Sequence, residues 1–76
     1  MSGILEPEEI DDLDESLLEV MDREEMEDFQ TDLEDSLEYL RGLEPDENRE
    51  EEAWYEWEDR VQVLEDLIDA ITDRIG

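Results

Sequence analysis

Residues 54–75 read "WYEWEDRVQVLEDLIDAITDRI", and their spacing decides the fold. Trp54, Trp57, Val61, Leu64, Ile68, Ile71 and Ile75 follow one another at steps of 3, 4, 3, 4, 3 and 4. That places them along one stripe of an α-helix for three heptads, a regularity that disordered acidic sequence does not sustain. Val63, Leu67 and Ala70 lie beside the stripe and widen it between residues 61 and 71. Such width is expected where a helix packs against two neighbours at once. Pro45 stops whatever precedes, Asp46 can cap, and Gly76 follows the last apolar residue. The pattern predicts a helix over 47–75, about 45 Å long at about 1.5 Å per residue. Val61, Leu64, Ile68 and Ile71 are its expected core residues.

Upstream the logic repeats. Met26, Phe29, Leu33, Leu37 and Leu40 stand at steps of 3, 4, 4 and 3, which predicts a helix over 23–41. Asp22 followed by Glu25 resembles a capping box with Asp in the Ser/Thr position. Arg41-Gly42-Leu43 supplies a cation for the last turn and a glycine where a left-handed residue is wanted. The first segment opens Glu6-Pro7-Glu8-Glu9, with proline at the first helical position and acids toward the positive end of the dipole. Ile10, Leu13, Leu17, Val20 and Met21 then form an apolar face, which predicts a helix over 7–21. Between Met21 and Met26 the apolar phase slips with no Gly or Pro to mark a break, so two helices or one kinked helix are both open. The expected fold class is all-α: one domain over 1–76, a small three-helix bundle with a long C-terminal helix. Part of that long helix could overhang and pair with a second copy.

Composition removes several functions. A chain of 76 residues buries only about 60% of its unfolded surface, so its stability margin is thin. With neither Cys nor His, the thiol nucleophile, the disulfide, the usual zinc ligands and the commonest general base are all missing. Close carboxylate pairs are unavoidable among 30 acids and carry no information without a pocket that raises one pKa. No catalytic residue is assigned, and a non-enzymatic protein with no cofactor is expected. Asp12-Leu13-Asp14-Glu15-Ser16 opens like a calcium loop, but Leu17 stands at the glycine position and Arg23 at the bidentate glutamate position, so no metal site is expected. No apolar run approaches the ~20 residues of a membrane span. The start, Met1 to Glu6, lacks the basic and apolar regions of a secretory signal. A cytoplasmic location is expected.

Residues 4–13, "ILEPEEIDDL", resemble the short N-terminal peptide of flagellar motor switch proteins. That peptide reads approximately Leu-Ser-Gln-x-Glu-Ile-Asp and docks on a chemotaxis response regulator. Glu6-Pro7 stand here in place of Ser-Gln. Glu-Ile-Asp after a proline is also what an acidic helix start looks like, and the stretch is read as one.

The charge is the extreme feature: 30 acids against five arginines and no lysine, a formal net charge of −25. Such a chain repels phosphate, which excludes direct nucleic-acid binding, and it repels anionic membranes. Salt adaptation would account for the missing lysine. It accounts less well for 18 Glu against 12 Asp, or for 15 Leu plus Ile against seven Val, Ala and Thr. Arginine without lysine also follows from a GC-rich genome. Mimicry of nucleic acid fits the charge density: B-DNA carries one charge per about 1.7 Å of axis, and −25 over about 45 Å of helix is one per about 1.8 Å. In composition, size and helical content the chain resembles phage and plasmid inhibitors that imitate DNA or RNA, anti-restriction and anti-CRISPR proteins among them. The likeness is to a functional class and carries no residue correspondences.

Trp54 and Trp57 sit on the apolar stripe and are expected in the core, whereas Tyr55 lies about 100° round the helix among acids. Tyr55 with Glu51, Glu52, Glu56, Glu58 and Asp59, continued by Asp66, Asp69 and Asp73, is therefore the candidate partner-binding face. The expected partner is a protein with a basic nucleic-acid-binding groove. The alternative is an acidic, halophilic adaptor or assembly protein that dimerises through the third helix.

Overall fold

A computed structural model describes residues 4–76. Its elements in order are α1 (Pro7–Asp11), a 3-10 helix (Glu15–Val20), α2 (Arg23–Arg41) and α3 (Glu51–Ile75), and the described residues contain no strand. The fold is an all-α bundle with a long C-terminal helix. α2 and α3 run antiparallel: the Trp57 indole Nε1–H donates to the Leu40 carbonyl at one end, and Gln30 Nε2 donates to Thr72 Oγ1 at 2.8 Å near the other. The N-terminal segment packs against α3 as the third member.

That third member is not the single helix over 7–21 that the sequence predicts. α1 ends after five residues, Asp14 is extended (φ −151°, ψ 153°), and the chain resumes as a 3-10 helix. Glu8, Glu9, Asp11, Asp12 and Glu15 would face one another three and four residues apart in a continuous helix, and like charges at those spacings repel. Aspartates also bond their own backbone in turns in preference to helix. The 3-10 period of three residues per turn re-aims the side chains. Leu18 is fully buried, while Val20, expected on the apolar face, is 80% exposed. Ile10 is buried as expected, and Leu13, Leu17 and Met21 are half-buried.

A clean break separates this segment from α2, which settles the choice left open between Met21 and Met26. Met21 is extended, and the Asp22 carboxylate accepts the Glu25 N–H at 2.8 Å as a helix cap. At the other end Gly42 is right-handed (φ −77°, ψ −11°), not left-handed. The last carbonyls of α2 are instead satisfied by tight turns, Gly42 N–H to Glu38 and Tyr39 and Leu43 N–H to Leu40, together with the Trp57 indole. α3 begins at Glu51 and not at 47. Asp46 caps a turn of its own, its carboxylate accepting the Asn48 N–H at 2.9 Å and its carbonyl the Glu50 N–H at 2.7 Å. The helix is correspondingly about 37 Å long.

The core is made of Ile10, Leu18, Met26, Leu33, Leu40, Leu64, Leu67 and Ile71. The sequence stripe on α3 is therefore rotated: Leu64 and Ile71 are fully buried as expected, but Leu67 replaces Val61 and Ile68, which are half-buried. α3 has α2 on one side and the N-terminal segment on the other, and Leu67 lies toward the latter, beside Leu13. Trp57 packs on the core, whereas Trp54 is half-buried outside it. Ser36 is the one buried polar residue among those described. Its hydroxyl accepts the Leu5 N–H at 2.7 Å and donates to the Asp32 carbonyl at 2.8 Å, which ties Leu5 to α2. With Ile10 buried and Leu5 tied to Ser36, residues 4–13 form part of the packed body.

Candidate functional site

All nine residues of the candidate face, Glu51, Glu52, Tyr55, Glu56, Glu58, Asp59, Asp66, Asp69 and Asp73, are exposed along α3. The helical period divides them. Taking Leu64 as the inward direction and about 100° per residue, Tyr55, Asp59, Gln62, Asp66, Asp69 and Asp73 fall within about 40° of the outward direction. They recur at steps of 4, 3, 4, 3 and 4, a polar counterpart of the apolar stripe on the opposite side. From Tyr55 to Asp73 this row extends about 27 Å. Glu51, one turn before Tyr55, falls within the same 40°, while Glu58 flanks the upper end on one side and Glu52 on the other. Glu56 points about 100° away from Tyr55 and stands apart from the row.

Three of the five arginines are paired away from this face, and Arg74 lies beside its lower end. Arg60 is turned toward the N-terminal segment, where its Nε and Nη2 donate to the two Asp11 carboxylate oxygens at 3.3 Å each. Arg41 pairs with Glu65 across the helices at 3.5 Å, and Arg23 pairs with Glu27 along α2 at 3.7 Å. Among the described residues none of these ion pairs involves a residue of the candidate face. Gln62 Nε2 donates to Asp66 at 3.2 Å and steadies that carboxylate in the row. Arg74 and Glu15 line a shallow groove with Asp66, Asp69 and Asp73. The acidic surface thus continues from α3 onto the 3-10 helix, a juxtaposition that periodicity along one helix could not reveal.

At the upper end, Trp54 and Tyr55 meet edge to face, with ring centroids 5.4 Å apart and planes at 77°. Trp57 stands 6.3 Å from Trp54 on its other side. Tyr55 is 57% exposed. The grooves lined by Asp66 and Asp69 are shallow and edged by acids, and among the described residues no three or more acids are arranged to hold a metal ion. No described helix is long and apolar enough to cross a membrane. No buried polar side chain among the described residues lacks a partner. No known protein family, curated protein or solved structure matches this chain.

Proposed function

We propose that this protein is a non-enzymatic inhibitor that acts in the cytoplasm by occupying the basic groove of a nucleic-acid-binding protein in place of DNA or RNA, as phage anti-CRISPR and anti-restriction proteins do. The observation that carries the reading is linear charge density. The molecule measures 42 × 25 × 21 Å, so a formal −25 over its long axis is one charge per about 1.7 Å, the value for duplex DNA. Its radius of gyration of 13.1 Å exceeds the about 11 Å of a compact chain of this length, consistent with a rod. The outward row adds support. Asp66, Asp69 and Asp73 repel one another at helical spacing, and none of them enters an ion pair among the described residues. α3 also spends its apolar stripe on α2 and the N-terminal segment, which leaves its outward side without an apolar seam for pairing with a copy of itself.

Capture of a partner from a nucleic-acid-processing lysate at low and high salt identifies the target. Competition then tests the reading: the protein is titrated into a preformed complex of that target with its DNA or RNA. Displacement is expected, weakened several-fold when Asp66, Asp69 and Asp73 are all changed to Lys with helicity retained. Simultaneous binding of protein and nucleic acid without mutual weakening would overturn it.

A further inference from the structure

Glu51, Trp54, Tyr55 and Glu58 stand at i, i+3, i+4 and i+7 on α3 and so share one face of its first two turns. The fold explains only part of this group. Glu51 suits the positive end of the helix dipole. Trp57, one turn on, is accounted for by its packing and its bond to Leu40. Trp54 is half-buried beside Trp57, but Tyr55 is not accounted for: neither Trp54 nor Tyr55 packs on the core among the described residues, yet their rings hold each other edge to face and Tyr55 remains 57% exposed. Glu58 is exposed beside them and enters no ion pair among the described residues.

From this geometry we infer that the 51–54–55–58 face is an arginine-binding surface for a cationic protein partner. A second copy of a chain with formal charge −25 would be repelled from it. A guanidinium is attracted to the negative faces of aromatic rings, and its planar fork matches a carboxylate. Two rings bracketed by two glutamates offer both features in one footprint. Lysine, a strongly hydrated point charge, can use the carboxylates but stacks less well. The surface is thus selective for arginine, whereas the row from Asp59 to Asp73 is indifferent to which cation it meets. The inference deepens the mimicry reading, because it assigns the partner groove an arginine opposite Tyr55.

The test uses the full chain with two synthetic probes of equal length and charge, an Arg-Gly repeat peptide and a Lys-Gly repeat peptide, at about 0.15 M salt, where the Debye length is about 8 Å. Nuclear magnetic resonance follows the Trp54 and Trp57 indole N–H signals and the tyrosine rings. The Arg peptide is expected to bind several-fold more tightly than the Lys peptide and to shift Trp54 and Tyr55 more than Trp57, Tyr39 or the row beyond Asp59. Tyr55→Ala and Glu58→Gln, both at exposed positions, should each reduce the difference between peptides, with Tyr55→Ala nearly abolishing it. Equal binding of the two peptides, or a preference that survives Tyr55→Ala, would overturn the inference. Arginine preference without displacement of nucleic acid would retire only the mimicry reading; displacement without arginine preference would retire only this one.

Discussion

Leu67 and Ile68 are adjacent in sequence, both apolar, and opposite in what they predict. The spacing of the α3 stripe favours Ile68 as a core residue, whereas the structure leaves Leu67 only 2% exposed and Ile68 half-buried. Ile68 faces the edge of the α2–α3 contact, beside Leu37, Glu34, Glu38 and Arg41. Leu67→Ala removes a side chain enclosed on all sides and should cost about 2–5 kcal/mol, transfer and cavity together. Ile68→Ala removes one already partly in water, and at about 25 cal/mol per Å² of apolar area it should cost roughly 1–2 kcal/mol. A domain of this size has roughly 4–11 kcal/mol in all, so the first change takes a large share of the stability and the second does not.

Urea denaturation followed by far-UV circular dichroism, in salt high enough to hold the wild type folded, measures both. The slope with denaturant should be the same for all three proteins, so that the midpoints report stability. Thermal midpoints should fall by roughly 10 °C or more for Leu67→Ala, at about 4–8 °C per kcal/mol in a domain of this size. If Ile68→Ala costs as much as Leu67→Ala or more, the packing of the N-terminal segment onto α3 described above is wrong.

Stability should rise between about 0.05 M and 1 M salt, because screening relieves repulsion between exposed like charges. Hydrogen exchange should show the largest gain in residues 10–20, since no arginine precedes Arg23 and, among the described residues, Asp11 is the one acid of this segment with a cation partner, Arg60. Ser36→Ala leaves the Leu5 N–H without its acceptor and should cost about 1–3 kcal/mol, seen as a lowered urea midpoint; an unchanged midpoint would mean that this bond contributes nothing. Trp57→Phe keeps a ring on the core but loses the bond to the Leu40 carbonyl, an expected cost of about 0.5–1.5 kcal/mol with faster exchange at the end of α2.

What was legible in the sequence was whatever depends on one helix at a time. α2 begins at Arg23 behind its Asp22 cap and ends at Arg41, although Gly42 is not left-handed, and Leu33, Leu40, Leu64 and Ile71 are inside. The failures arise where two segments compete for one residue. Periodicity gives the direction of a stripe only to within a residue, and it took the packing of the N-terminal segment to pull Leu67 inward ahead of Ile68. Val20 and Leu18 exchanged places because a 3-10 turn does not keep the period of 3.6 on which the face was drawn. Ser36 has no apolar signal, and its role exists only once Leu5, 31 residues away, is folded beside it. The acids of the candidate face were legible as exposed residues. Their division into an outward row and an outlying Glu56 needed only the helix period, but the addition of Glu15 to the row's groove needed the tertiary fold.

The same acids that support a mimic should weaken the fold, and that opposition can be measured. Asp66, Asp69 and Asp73 make two like-charge pairs at i, i+3 and i, i+4, each destabilising by about 0.2–0.5 kcal/mol on a helix surface. Changing all three to Asn removes that repulsion and part of the long-range self-repulsion of the net charge, while an amide at 66 can still accept from Gln62. Asn and Asp have about the same helix propensity, so charge is the main change, and the gain should be small in 1 M salt and clearest at low salt, where repulsion is unscreened. Melts of wild type and the triple variant across a salt series should therefore converge as salt rises, with the variant ahead at the low end. Binding to the captured partner should move the other way, weaker for the variant at every salt concentration. A variant that is less stable at low salt would mean that these aspartates serve the fold, and the row would lose its claim to be a surface kept for a partner.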